Sequence, residues 1–173
     1  DTHMEVTHVI RGDDHLNNTP KQIPLFAAFG TELPAFAHVP MILGPDGERL
    51  SKRHGAVSVM QYAEDGFLPE ALLNYLARLG WSHGNDEVFS LEQFVDWFDL
   101  GHISRSAAQF NPEKLAWLDQ QHLKVRDDRM LAEEVAPRLA ARGIGTAAGP
   151  SLEKVVALYK DRVSTLNELA DAV

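Results

Sequence analysis

Short β-branched runs punctuate the first third of the chain, and from Ser58 onward apolar residues recur at helical spacing. Met4 to Ile10 reads as a strand, ended by Gly12-Asp13-Asp14. Thr19-Pro20 predicts a helix start, with a capping residue ahead of a proline, and Gly30 its stop. A second strand is expected over Ala37 to Leu43, after Pro34. Strand, helix, strand in this order suggests a parallel crossover, whose ligands sit at the carboxyl ends of the strands. That singles out two polar loops, Arg11 to Asn18 and Gly44 to Gly55.

The rest reads as helices. Pro69 opens one with Leu72, Leu73, Leu76 and Leu79 as its apolar stripe, closing at Gly80. Ser90 and Gln93 make a capping box before Phe94, Val95 and Phe98. Asn111-Pro112 starts a helix through Leu115 and Leu118. A longer one is expected from Asp127 to Arg142, interrupted or kinked near Pro137, and another from Ser151 after a loop at Gly143 to Pro150. Trp81, Trp97 and Trp117 have helical, apolar neighbours, so core packing is expected of them rather than base stacking. The fold class is α/β followed by all-α.

The second loop carries the chemistry. Gly44-Pro45-Asp46-Gly47 is a tight-turn sequence that delivers Arg49-Leu50-Ser51-Lys52-Arg53 beyond it, closed by His54-Gly55. Three cations and a hydroxyl between glycines suit a clamp on a polyphosphate: lysine as a point charge, arginine as a fork, serine as a neutral donor. A solvent-exposed basic turn is the plainer alternative for so short a motif. In the first loop, Arg11 at a strand's carboxyl end can grip a carboxylate with both arms of its fork or pair with Asp13 or Asp14; spacing alone favours neither.

Arg49 to Arg53 resembles the Lys-Met-Ser-Lys-Ser loop of class I aminoacyl-tRNA synthetases, with Arg49 for the first Lys, Leu50 for Met and Arg53 for the last Ser. Ile42-Leu43-Gly44-Pro45-Asp46-Gly47 through Lys52-Arg53-His54-Gly55-Ala56 is similar to the bacterial glutamyl-tRNA synthetase family. His8 to His15, followed by Asn18-Thr19-Pro20, resembles that family's entry to the amino-acid pocket. Leu68 to Leu76 through Gly80-Trp81, then Phe110 to Leu115 with Trp117-Leu118, resemble its acceptor-stem region. Beyond about Asp127 the likeness is only that of a helical, anticodon-side segment.

The resemblance implies a Rossmann-like catalytic part over 1–63, a tRNA stem-contact region over 64–126 and the beginning of a helical anticodon-binding domain over 127–173. It implies ATP-dependent attachment of glutamate to its tRNA, through a glutamyl-adenylate. Lys52 would be catalytic; Arg49, Leu50, Ser51, Lys52 and Arg53 would bind ATP, with the backbone at Ile42 and Leu43 near the adenine and Asp14 near the ribose or the substrate ammonium. Arg11 would select the glutamate side chain. ATP, Mg²⁺ with the ATP, L-glutamate and tRNA(Glu) are the expected ligands, and a monomer is expected. The His-Ile-Gly-His-type element of the class occurs nowhere in the sequence, so the chain alone is expected not to form an adenylate.

Composition alters this picture in a few places. With 45% hydrophobic and 24% charged residues over 173 positions, a folded globular chain is expected rather than a disordered one. The absence of cysteine removes disulfides and thiolate metal sites and fits a reducing, cytoplasmic setting. No run approaches the roughly 20 apolar residues of a membrane span. Eight histidines form no ligand set, so no zinc site is expected. The formal charge of −9 opposes simple nucleic-acid binding unless the basic groups gather on one face. A chain opening at Asp1 just before a strand and closing at Val173 soon after the capping pair Thr165 and Glu168 is expected to belong to a larger protein.

The rivals differ in what should follow the loop. A glutaminyl-specific relative would turn to β-barrels after Asn111, and a tRNA-modifying relative would lack the helical extension. A non-catalytic RNA-binding module would bind tRNA without needing Lys52.

Overall fold

The computed structural model describes residues 1–50, 58–147 and 149–173. Strand β1 (His8–Gly12) and strand β2 (Ala35–Val39) pair in parallel, His8 opposite Ala35 and Gly12 opposite Val39, with helix α1 (Thr19–Ala28) as the crossover. The expected parallel unit is therefore present, but both strands are displaced from their sequence-based bounds. The chain does not enter β1 at Met4: Thr2–Met4 forms a 3₁₀ turn and Glu5 takes a left-handed conformation, φ 53°. The second strand is not one piece. Pro40 has no N–H for a ladder and ends β2, so Ile42–Leu43 becomes a separate strand, β3. It pairs in parallel with β4 (Ala108–Gln109), a segment far along the chain.

The cap of α1 also differs from expectation. Asn18 occupies the cap position, Thr19 and Pro20 begin the helix, and the Thr19 hydroxyl is used elsewhere. Gly30 ends the segment with φ +65°, a conformation that glycine adopts without steric cost.

Among the described residues after 57, β4 is the one strand and the other regular elements are helices. Helices α2 (Val59–Glu64), α3 (Pro69–Gly80), α4 (Leu91–Trp97), α5 (Pro112–Val125), α6 (Asp128–Ala141), α7 (Leu152–Tyr159) and α8 (Leu166–Ala172) follow in order. Several of their starts are capped by side chains. Ser90 and Gln93 form the full capping box of α4, Asn111 accepts from the Lys114 amide at α5, and Asp127 caps α6. At α8 Thr165 accepts from the Glu168 amide, while the Glu168 carboxylate reaches back to Ser164 N at 2.6 Å. Helix α6 runs through Pro137 without a break.

The buried hydrophobic cores lie from Leu68 onward. One core joins Leu68, Ala71 and Leu123 to Leu131, Val135 and Leu139 of α6 and to Val156, Leu166 and Leu169 of α7 and α8. A second joins Leu72 and Tyr75 of α3 to Leu115 and Leu118 of α5, with Tyr62, Phe67, Leu79 and Phe110 against it. The stripe of α3 thus runs through 68, 71, 72, 75 and 79, and Leu73 and Leu76, expected inside, are 47% and 41% exposed. They sit off the face that three-to-four spacing generates from Leu68. Of the tryptophans, Trp81 is buried among Phe89, Phe94 and Phe98, Trp97 stacks on His83, and Trp117 is 38% exposed with the Lys114 ammonium 3.9 Å from its ring centre. No helix among the described residues is long and apolar enough to cross a membrane.

Candidate functional site

Parallel pairing sets Arg11 beside His38, and both lie near the carboxyl ends of their strands. Strand residues directly opposite share a face, so the two side chains project together toward the start of α1. There Thr19 and Gln22, three residues apart on one helix face, complete a polar cradle. Arg11 Nη2 donates to Thr19 Oγ1 and to Gln22 Oε1, both at 2.8 Å, and Nε points to His38 Nε2 at 3.5 Å. The Thr19 hydroxyl is also 3.0 Å from His38 Nε2, so the tautomer with its proton on Nδ1 can accept from both. Phe36, two residues before His38 on the same face, lies under the guanidinium at 5.5 Å.

The ion pair with Asp13 or Asp14, one of the two readings of Arg11, is not formed. None of the ion pairs among the described residues involves Arg11; Asp14 pairs instead with His15 and Arg49. The expected two-armed grip is narrowed, though. Both Nη2 hydrogens and the Nε hydrogen already face protein acceptors, leaving Nη1 as the nitrogen without a partner among the described residues. The guanidinium is thus held by its neighbours, with Nη1 as its open arm.

The described part of the second loop, up to Leu50, folds back as a hairpin. Gly44 N donates to Glu48 O at 2.7 Å, Gly47 N to Gly44 O at 3.0 Å, and Leu50 N to Ile42 O at 2.9 Å. Gly47 takes φ +79°, and the Asp46 carboxylate accepts from the Glu48 amide. Leu43 and Arg49 face each other across the hairpin. The hairpin meets the first loop at Arg49 Nη2, 3.4 Å from Asp14 Oδ2. Both groups are exposed enough for solvent to screen the pair, so it marks proximity more than it adds stability. Gly12 makes room for this corner: a Cβ there would come within 2.5 Å of Asp14 Oδ1.

Of the site residues expected from sequence, Arg11, Asp14, Ile42, Leu43, Arg49 and Leu50 are described, and Ser51, Lys52 and Arg53 lie outside the described residues. The carbonyls of Ile42 and Leu43 already accept, from Leu50 N and Phe110 N respectively. Sequence reasoning missed Thr19, Gln22 and His38 as partners of Arg11, although helix spacing carries the first two and strand register the third. It also missed Gln109, whose side-chain amide donates to Gly44 O and Pro45 O at 3.1 and 2.8 Å. That contact spans more than sixty positions, and no local signal announces it. Among the described residues no group of three or more His, Asp or Glu side chains forms a metal cage.

The family model for the catalytic domain of class I tRNA synthetases (E and Q) matches residues 1–117. A glutamate–tRNA ligase of Aromatoleum aromaticum is 67% identical over 172 residues, covering 99% of this chain and 37% of that relative. One of Nitrosospira multiformis is 67% identical over 174 residues, with the same coverage. Among solved structures, a glutamate–tRNA ligase of Elizabethkingia meningosepticum in complex with its amino acid superimposes with a TM-score of 0.85 at 31% identity, over 97% of this chain and 37% of that one. The chain thus spans little more than a third of the length of these relatives.

Proposed function

The chain belongs to the class I tRNA synthetases of the E and Q group, and from that premise we propose that it forms one side of the active site of a glutamate–tRNA ligase. In the full-length enzyme, an oxygen of the glutamate α-carboxylate attacks the α-phosphorus of ATP. The bond to the bridging oxygen breaks and pyrophosphate leaves. A ribose hydroxyl of the terminal adenosine of tRNA(Glu) then attacks the carbonyl carbon of the adenylate, and AMP leaves.

The residues divide this work by charge. Lys52 stabilises the negative charge that grows on the phosphate oxygens and on departing pyrophosphate, with Ser51, Arg49 and Arg53 ordering the loop. Leu50 and the backbone of Ile42 and Leu43 border the adenine, and Asp14 faces the ribose or the substrate ammonium. Arg11 reads the glutamate side chain through Nη1, its other nitrogens being engaged by Thr19, Gln22 and His38. Mg²⁺ enters with the ATP phosphates. Residues 1–63 serve as catalytic part, 64–126 as stem-contact region and 127–173 as the start of the anticodon side. The enzyme works in the cytoplasm as a monomer.

The observation that carries this reading is the meeting of the two loops, Asp14 against Arg49, beyond β1 and β3, each of which belongs to a parallel pair, with Arg11 braced near the end of β1. The choice of glutamate over glutamine is supported by the helices α5 to α8, where a glutaminyl enzyme would turn to β-barrels. The test is glutamate-dependent ATP–pyrophosphate exchange by the full-length enzyme. Arg11→Gln should raise KM for glutamate at least about 30-fold, the scale of a lost charge-assisted contact, and leave KM for ATP within about three-fold. An unchanged glutamate KM would remove Arg11 from the amino-acid pocket.

A further inference from the structure

We propose that Gln109 is a positioning residue for ATP binding, holding the turn at Gly44–Pro45, and with it Arg49, in place at the nucleotide site. The proposal rests on the reading of Arg49 to Arg53 as a phosphate clamp. The hydrogen bonds inside the hairpin, from Gly44 N to Glu48 O and from Leu50 N to Ile42 O, fix its shape but not its aim. Aim requires a contact from another part of the chain. At the base, Phe110 N donates to Leu43 O at 2.8 Å. At the turn, the single amide nitrogen of Gln109 donates to two successive carbonyls, Gly44 O and Pro45 O.

Gln109 is itself tied to the helical part of the chain. It stands opposite Leu43 in the β3–β4 pair, and two residues on Asn111 caps α5. The Tyr75 hydroxyl, from α3, accepts from Asn111 N at 2.6 Å and donates to Asn111 O at 3.1 Å. A line of hydrogen bonds therefore runs from α3 through Asn111 to the backbone at 109, and from its side chain to the turn. The chemistry of the contact is one-sided. Gly44 O already accepts from Gly47 N, Pro45 O has no backbone donor among the described residues, and the amide nitrogen offers one hydrogen to each. A carboxylate of the same shape would set negative charge against both carbonyls. Gln109 is solvent-exposed, so its replacement leaves the two apolar cores intact.

The experiment compares Gln109→Met, Gln109→Glu, Gln109→Lys and Lys52→Ala in the full-length enzyme, reading kcat and KM for ATP and for glutamate by pyrophosphate exchange. Loss of two neutral hydrogen bonds predicts a fall of about ten-fold in kcat/KM for ATP with Gln109→Met, with glutamate KM unchanged. Gln109→Glu should fall further, through repulsion. Gln109→Lys, whose ammonium supplies donors again, should recover to within about three-fold of wild type. If Lys52→Ala abolishes exchange while the Gln109 variants match wild type, the clamp stands and the positioning role is overturned. If neither Lys52→Ala nor the Gln109 variants alter exchange, the clamp reading itself fails. Equal losses in all three Gln109 variants, with both KM values raised, would mean general disturbance and would likewise overturn the proposal.

Discussion

Replacing Asp119 by asparagine should make the protein more stable at neutral pH and should flatten part of its pH dependence. Asp119 projects from α5 with no solvent exposure. Its Oδ1 accepts from Leu68 N at 2.8 Å, at the first turn of α3, and Oδ2 finds no partner among the described residues. Burial raises the carboxyl from 3.8 to about 7; the Leu68 amide pulls the other way, and Glu70 and Glu168 add to the rise. Because the folded pKa lies above the unfolded one, this group's contribution to stability is fully present below about pH 4. It is lost as pH climbs to about 7 and is constant above. At about 1.36 kcal/mol per pH unit, the interval corresponds to roughly 4 kcal/mol. The asparagine side chain would keep the acceptor for Leu68 N and could not ionise. Urea unfolding of the wild type and Asp119→Asn from pH 4 to 8 should give curves that nearly meet at the acid end. They should part by up to about 4 kcal/mol at pH 7.5, the variant being more stable. Parallel curves across that range would refute the argument from burial, for the ionised carboxylate would then be satisfied in the fold. Asp119→Leu provides the contrast: it strands the Leu68 amide and should cost about 1–3 kcal/mol relative to Asp119→Asn.

Two further outcomes follow from buried polar contacts. Tyr75→Phe removes the partner of both Asn111 N and Asn111 O and should cost about 1–3 kcal/mol in urea unfolding; a cost below about 0.5 kcal/mol would mean that the contact contributes nothing net. Arg126, 19% exposed, holds Glu70 and Glu134 together, so Arg126→Met should destabilise by about 3 kcal/mol in urea unfolding at pH 7; a cost below about 0.5 kcal/mol would contradict the ionic account.

Helix starts were the most legible part of the fold, because a cap is a local event. Asn111-Pro112, Ser90 with Gln93 and Asp127 each announce a helix start within four positions, and each stands where a helix begins. Strand bounds were less legible, since pairing is settled by partners elsewhere. Ile42-Leu43 reads as the end of the second strand, yet Pro40 severs it and Ala108–Gln109 claims it. The face of α3 was misread at Leu73 and Leu76, where all leucines count alike in sequence but only one side meets α5. At the site, the turn at Gly44 and the placing of Arg11 were readable from residue types. The cradle of Thr19, Gln22 and His38 depends on a register fixed only in three dimensions. Gln109 and Asp119 act across more than fifty positions, a distance at which sequence patterning carries no information about contact.

Lys52, the cation between Ser51 and Arg53, bears the central step of the proposed chemistry. Single-turnover formation of glutamyl-adenylate by the full-length enzyme, wild type against Lys52→Ala, measures its role directly. A loss of at least about 100-fold in rate, with unfolding free energy unchanged and glutamate still bound, is the expected result. An undiminished rate would contradict it and leave Arg49 to Arg53 a solvent-exposed basic turn.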